Sequence, residues 1–340
     1  MMMRQGICIA GNMIVDIHYP IDGWPGLGEL VHIKGKAGRA TGGCVNNTIM
    51  DIARLAPDMK LYALGRIGAD AEGDLIKSAL GQYPNINTSG VIQEGESALT
   101  LVFNDAISKN RTFFTYGGSN AEFDVDDINW DALTCNILHV GYILLLDTLD
   151  REDPEYGTRM ARLLHMAQQH GIRTSVDVVS EASQRFETIV RPALKYTDYC
   201  VINEFEASRT TGIPLRDEED KLLFANMPKA LQAMKALGVS TWAVIHCPEG
   251  GFGLDENDRY IALPSLELPE GFIKGSNGAG DAFCAGVLCG AEKGYDLKKA
   301  IRLGTAAAVS SLTSVEATTG VQTEAEVLRL LNRYPTRPLM

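Results

Sequence analysis

The 340-residue chain is poor in positive charge: 31 Lys and Arg stand against 43 Asp and Glu, a formal net charge of −12. That balance excludes a diffuse basic surface for phosphate backbones, so no nucleic-acid partner is expected. Long apolar runs are missing as well. Met1 to Gln5 leads into an apolar run closed by Gly11, too short for the core of a secretion signal, and no 18-residue apolar stretch follows. No membrane partner is expected, and the expected compartment is the cytoplasm. The seven cysteines contain no CxxC pair and mostly sit inside apolar runs, as small hydrophobes do under reducing conditions. Familiar chemical motifs are also absent. There is no G-x-x-x-x-G-K-[ST], no G-x-G-x-x-G after the first strand, no HExxH, no Cys/His cluster and no G-x-S-x-G. A P-loop, a dinucleotide fingerprint, a catalytic zinc site and a serine-hydrolase elbow all drop out.

What remains is 45% apolar residues, 22% charged residues and 34 glycines, enough for a large core. The length suits two domains or one domain with an insertion. Ile7 to Ala10 is short, apolar and closed by Gly11, so it reads as a buried strand with Asp16 just past its carboxyl end. From Pro20 to Gly43 no helical period is present. Val31, Ile33, Gly35 and Ala37 alternate with His32, Lys34 and Lys36, which predicts an exposed edge strand whose basic face is either solvated or turned to an anionic substrate. Helical spacing returns over Asn46 to Leu55, followed by a strand at Leu61 to Leu64 and a turn from Gly65 to Gly68. Alternating stretches at Ala98 to Phe103 and Arg111 to Tyr116 flank a turn-rich segment and predict a hairpin. Strands at Ile137 to Val140, Thr174 to Val178, Cys200 to Ile202 and Trp242 to Ile245 alternate with helical segments, as in a parallel sheet covered on both faces. Asp153 with Pro154 marks a helix start and Gly171 a stop. Three helices are expected near Gly278 to Lys293, Leu297 to Leu312 and Glu324 to Arg333.

The most informative run is GSNGAGDAF, Gly275 to Phe283, which opens one of those helices. The N–H groups of Gly278, Ala279 and Gly280 would face one point at the positive end of the helix dipole, a ready anion site. Asp281 inside such a cradle repels an anion, unless it takes the proton of a hydroxyl that attacks a phosphate. It is equally an ordinary first-turn acid when read alone.

GSNGAGDAF resembles the C-terminal signature of the ribokinase-like (PfkB) carbohydrate kinase family, an Asp-Thr-x-Gly-Ala-Gly-Asp run. GNMIVD (Gly11 to Asp16) is similar to its first sugar-binding turn, TGGCVNNT (Thr41 to Thr48) to its Gly-Gly-x-x-x-Asn signature with LGRIGADAEG following, and INEFEA (Ile202 to Ala207) to its Asn-x-x-Glu motif. The order and spacing of these runs extend the resemblance over nearly the whole chain. It implies an α/β fold, a three-layer α/β/α sandwich with a mainly parallel sheet, as one domain over residues 1–340. A discontinuous β lid would be inserted at about 20–40 and 98–116. It further implies ATP-dependent phosphorylation of a hydroxyl on a small sugar, with Asp281 as general base and Gly278, Ala279 and Gly280 as the anion hole. Asn203, Glu206, His246 and Gly251 would form the ATP and Mg²⁺ region, Glu206 holding Mg²⁺ through water. Asn12, Asp16, Gly42, Gly43 and Asn47 would contact the sugar, with Asn46 the alternative to Asn47. Read without the family, Asn203 is a helix cap, Glu206 a first-turn acid, Asp16 a turn former and Gly42 with Gly43 a hinge.

Departures from the pattern are Gly275 in place of an acid, His246 and Pro248 in the nucleotide loop, and Cys44 and Ile49 after the paired glycines. Tyr19, Trp24, Phe113, Phe114 and Tyr116, in or beside the lid, leave a nucleoside acceptor open, because a base needs an aromatic clamp; they serve equally as lid core. A non-catalytic sugar or nucleotide sensor is the reading from another class. Unpaired lid edges favour a homodimer.

Overall fold

Alternation within the short apolar strands decides the architecture. In the computed structural model, which describes residues 4–108 and 110–339, strand β1 (Ile7–Gly11) sends Ile7 and Ile9 into one core and Cys8 and Ala10 into another. Strand β2 (Ile14–Ile21) and strand β3 (Gly38–Gly42) follow, then helix α1 (Gly43–Leu55), strand β4 (Leu61–Ile67), helix α2 (Ala71–Leu80) and strand β5 (Ile86–Gln93). Strands β6 (Leu99–Asp105) and β7 (Arg111–Tyr116) form the expected hairpin, and β8 (Ile137–Ile143) returns to the main sheet. A two-residue pair, β9 (Glu152–Asp153) and β10 (Gly157–Thr158), precedes helix α3 (Arg159–Gln169). Next come β11 (Arg173–Val178), α4 (Arg191–Leu194), β12 (Tyr199–Asn203), α5 (Glu204–Thr211), α6 (Met227–Leu237) and β13 (Trp242–Cys247). Strands β14 (Gly250–Leu254) and β15 (Tyr260–Pro264) and helices α7 (Ala279–Glu292), α8 (Leu297–Ser311) and α9 (Glu324–Arg333) complete the chain.

Nine strands form one sheet in the order β15-β14-β13-β12-β11-β8-β1-β4-β5, parallel except for the two pairings of β14. One core cluster takes side chains of α1, α7 and α8, the other those of α3 and α6. This is the ribokinase-like three-layer sandwich. Helices α7 and α8 pack closely because a Cβ on Gly286 would lie 2.6 Å from Gly304 Cα.

The lid is a separate sheet, β3-β2-β6-β7, and differs from expectation in two places. It begins at Ile14 instead of near residue 20, because Val15, Ile17 and Ile21 alternate inward directly after the first strand, so Asp16 lies within a strand. Residues 31–37 form no strand beyond an isolated bridge at Ile33; they are largely exposed, and the partner strand is β3, at 38–42. Alternation without a face to bury does not hold a strand. Asp153 and Pro154 likewise do not start a helix: the Asp153 carboxylate accepts N–H bonds from Glu155 and Tyr156 in a tight turn, and Thr158 caps α3 instead. Among the described residues no helix is long and apolar enough to cross a membrane.

Candidate active site

The carboxyl ends of β1, β8, β11, β12 and β13 bring Asn12, Tyr142, Asp177, Asn203 and His246 to the side of the sheet where α1 and α7 begin. Asp281, in the first turn of α7, is 8% exposed. Its Oδ1 accepts a hydrogen bond from the Tyr142 hydroxyl at 2.6 Å and its Oδ2 one from Asn47 Nδ2 at 3.0 Å. Burial pushes the carboxyl up to about 6, and the two donors oppose that rise. A carboxylate so placed is held in one orientation and is ionised at neutral pH. Asn47, not Asn46, makes this contact; Asn46 Nδ2 turns back to Gly42 O at 2.7 Å.

The loop before Asp281 is shaped by close packing. Gly278 has φ +74°, and a Cβ there would meet Ala317 Cβ at 2.7 Å. The N–H groups of Gly278 and Gly280 have no helical acceptor by position, while that of Ala279 makes a long 3.4 Å contact to Ser276 O. Beside the loop opens a mostly apolar cavity of about 490 Å³, walled by Phe205, His246, Leu268, Ile273 and Leu312 and reaching Ala279 and Gly280. An apolar chamber ending at unpaired helix N–H groups suits a planar base at one end and phosphates at the other. His246 packs on Phe283 with centroids 4.9 Å apart and the rings tilted by 31°, and burial lowers its imidazole to about 4, so it stays neutral. Gly251 does not line this cavity; a Cβ on it would strike Ile301 and Phe283 in the core, and Gly250 takes its place on the wall.

Asn203 and Glu206 form a reciprocal helix cap. Asn203 Oδ1 accepts the Glu206 N–H at 2.9 Å, and Glu206 Oε2 accepts the Asn203 N–H at 2.9 Å. The Ser180 hydroxyl and Asn203 Nδ2 both donate to Glu206 Oε1, at 2.7 Å each. Burial pushes Glu206 up to about 7. Asp177, buried and bonded to the Val178 N–H, is held well above the usual carboxylate range by burial and then by Glu206 and Asp281. Beyond burial, the charge of Asp281 raises both Asp177 and Glu206, so three buried carboxyls stand near one another. Among the described residues no three such side chains converge closely enough to hold a metal ion by themselves.

A second cavity, of about 410 Å³, lies between the lid and the Gly275–Gly278 loop. Asp16 faces it, its carboxyl pushed up to about 6 by burial, and stands so close to Gly42 that a Cβ there would be 2.6 Å from Asp16 Oδ2. Gly43, at φ +87°, starts α1 against the Asn12 carbonyl. Asn12 is buried, and its Oδ1 accepts the Cys44 N–H at 2.9 Å; it organises the helix start and is absent from the cavity wall. Strand register puts Tyr19, Phe103, Phe114 and Tyr116 on the lid face opposite Asp16, where Tyr19 stacks on Phe103 and Trp24 on Phe114. Of the five aromatics that a base clamp would need, only Phe113 shares the cavity-facing side. His32, Lys34 and Lys36 share no strand face, and Lys34 pairs with Asp22 at 2.8 Å in the open.

Tyr142, Asp177 and Ser180 were not singled out by sequence. Asp177 did carry a signal, a lone acid near the carboxyl end of an apolar strand; Tyr142, at the end of β8, carried none.

The pfkB family carbohydrate kinase model matches residues 4–324. Among curated proteins, the nucleoside kinase of Methanocaldococcus jannaschii is 22% identical over 333 residues, 98% of each chain. Among solved structures, Arabidopsis thaliana ribokinase complexed with ribose and ATP aligns with TM-score 0.76 at 21% identity, covering 97% of this chain and 99% of that one. A putative ribokinase II from E. coli in complex with ATP and Mg²⁺ aligns with TM-score 0.74 at 15% identity, over 97% and 99%.

Proposed function

Because the chain belongs to the pfkB carbohydrate kinase family, we propose that it transfers the γ-phosphoryl group of ATP to a hydroxyl of a small sugar derivative. The observation that carries this reading is Asp281, a buried carboxylate clamped by Tyr142 and Asn47 beside free helix N–H groups. In this reading the acceptor hydroxyl gives its proton to Asp281 as its oxygen bonds to the phosphorus. The N–H groups of Gly278 and Gly280, with Ala279, stabilise charge growing on the transferred group. Tyr142 and Asn47 hold the base in line, and its pKa near 6 keeps it ionised yet basic.

The apolar cavity with His246 and Gly250 would take the nucleotide, and Asn203, Glu206 and Asp177 would hold Mg²⁺, Glu206 through water. Bound there, Mg²⁺ would neutralise phosphate charge. Asp16 on the wall of the second cavity supports a polyol there, while Gly42, Gly43 and Asn47 lie buried behind that wall, where Gly42 makes room for the Asp16 carboxylate and Asn47 holds Asp281. Closure of the lid over that cavity excludes water. Strand β7, exposed along all six residues, offers the edge through which two lids pair; a single monomeric species in sedimentation at micromolar concentration would remove that dimer. ADP release across a panel of sugars, with Asp281→Asn as control, tests the reading.

A further inference from the structure

The Gly275–Gly280 loop is the shared wall of the two cavities. Ser276, Ala279 and Gly280 line the apolar one, whereas Gly275 and Asn277 line the one under the lid. In a chain of net charge −12, the lid cavity gathers three cations: Arg39 and Arg111 from the lid and Lys274 from the segment before the loop. Asp16 and Glu316 are the acids that face the same space. Arg39 is engaged by Glu72 at 3.0 Å. Neither Arg111 nor Lys274 has an acidic partner among the described residues. Arg111 sits on the exposed edge strand and reaches across the cavity mouth, where its Nη1 donates to Asn277 Oδ1 at 2.5 Å. Its remaining donors are unspent.

Position along the lid separates this pair from the hydroxyl-binding end. Register places Asp16 beside Thr100 and Arg111 beside Asn104, four residues further along β6, or ~13 Å of strand. One end of the cavity thus offers a carboxylate for hydroxyls and the other a guanidinium with an ammonium opposite. Both cations stand on the lid side of the wall, away from the chamber fitted to a nucleotide. We infer that the acceptor is an anionic sugar derivative, one carrying a phosphate or carboxylate, whose charged group is bound between Arg111 and Lys274. This rests on the kinase reading above.

The test uses matched acceptors at fixed ATP: D-fructose against D-fructose 1-phosphate and 6-phosphate, and D-glucose against D-glucose 6-phosphate and D-gluconate. Each is assayed by ADP release with the wild type, Arg111→Gln and Lys274→Gln; both side chains are exposed, so the fold is not at stake. An anionic acceptor should exceed its neutral partner by ~10-fold or more in kcat/KM, the worth of one charge-assisted contact. Arg111→Gln should remove that advantage and leave the KM for ATP unchanged. Which anion wins separates phosphate from carboxylate. Equal turnover of neutral and anionic acceptors, or an Arg111→Gln effect confined to the KM for ATP, overturns the inference and leaves the kinase standing. If no acceptor turns over, calorimetric titration of the same set decides: anion binding lost in Arg111→Gln sustains the site and removes the kinase reading, whereas no anion binding by the wild type removes the site.

Discussion

Asp281→Asn exchanges one carboxylate oxygen for an amide nitrogen and leaves the shape of the site in place. The new amide oxygen still accepts from Tyr142. The new NH₂ faces Asn47, whose own Oδ1 has no partner in the wild type, so a half-turn of the Asn47 amide restores a donor–acceptor pair. What is lost is the capacity to take a proton. A positioned general base contributes ~10²–10⁴-fold, or about 3–5 kcal/mol of barrier. With a turned-over acceptor at saturation, kcat from coupled ADP release should fall ~100-fold or more while ATP affinity is unchanged. In the wild type kcat/KM should decline below pH about 6, because burial sets the base there and only its ionised form accepts a proton. The variant's residual rate should lack that limb.

Stability should move in the opposite direction. The folded-state carboxyl titrates near 6 against an ordinary 3.8, so between those values the folded chain binds the extra proton. Stability therefore falls as pH rises through this window and stays lower above it, and about two pH units correspond to ~3 kcal/mol. Asp281→Asn should melt above the wild type at pH 8 and level with it below pH 4. A variant that keeps more than ~10% of wild-type kcat, less than the smallest loss expected of a general base, would refute the assignment. A lower melting point at pH 8 would refute the account of burial.

Glu206→Gln keeps one oxygen to accept from Asn203 but turns an NH₂ toward its other donors and removes the charge; the half-saturating Mg²⁺ concentration should rise ~10-fold or more, and an unchanged Mg²⁺ titration would remove Glu206 from the metal region. Asp51, fully buried on α1 with neither oxygen hydrogen-bonded, is held well above the usual carboxylate range by burial, so its ionisation weakens the fold as pH rises. Asp51→Asn should raise the melting temperature by a few degrees at pH 8 and by little at pH 4, and a pH-independent difference would show that this carboxyl titrates alike in the folded and unfolded chain, against the account of its burial. At Gly275 a Cβ would lie 2.8 Å from Ser314 O, so the acid that the family signature carries has no room. Replacing K⁺ by tetramethylammonium at constant ionic strength should leave turnover unchanged, and a several-fold drop would mean that the loop binds the ion through its remaining oxygens.

The central strands were legible because parallel strands buried on both faces read as continuous apolar runs, as in ICIA and CVIN. The edges were not. Strand β5, INTSGVIQ, is half-buried and polar, and β14, GGFGL, carries glycines that read as a turn although its backbone pairs on both sides. Residues 31–37 show the converse, alternation without burial. In the site, Asp281 and its glycines announced themselves because an acid beside an anion cradle is chemically odd within nine residues of sequence. Tyr142 carries no such local oddity and Asp177 only that of a lone acid at a strand end; they come together because β8 and β11 are neighbours in the sheet, a fact of topology that no window of sequence contains.

The electrostatics of the two cavities explain one another. Asp177, Glu206 and Asp281 are each raised by burial, and the charge of Asp281 raises the other two further, so their joint ionisation weakens the fold. In the proposed kinase a cation bound with the phosphates would relieve it. On the lid side Arg111 and Lys274 form no ion pair among the described residues, while Asp16 and Glu316 line the same space. Both sets of charges border one loop, which Arg111 ties to the lid through Asn277. Filling the lid cavity with an anion would draw Arg111 onto its ligand and shift the same loop whose N–H groups face the phosphoryl group. Binding energy from a part of the acceptor remote from the reacting hydroxyl would thereby be used to align the anion hole, as expected where a charged substituent raises kcat as well as lowering KM.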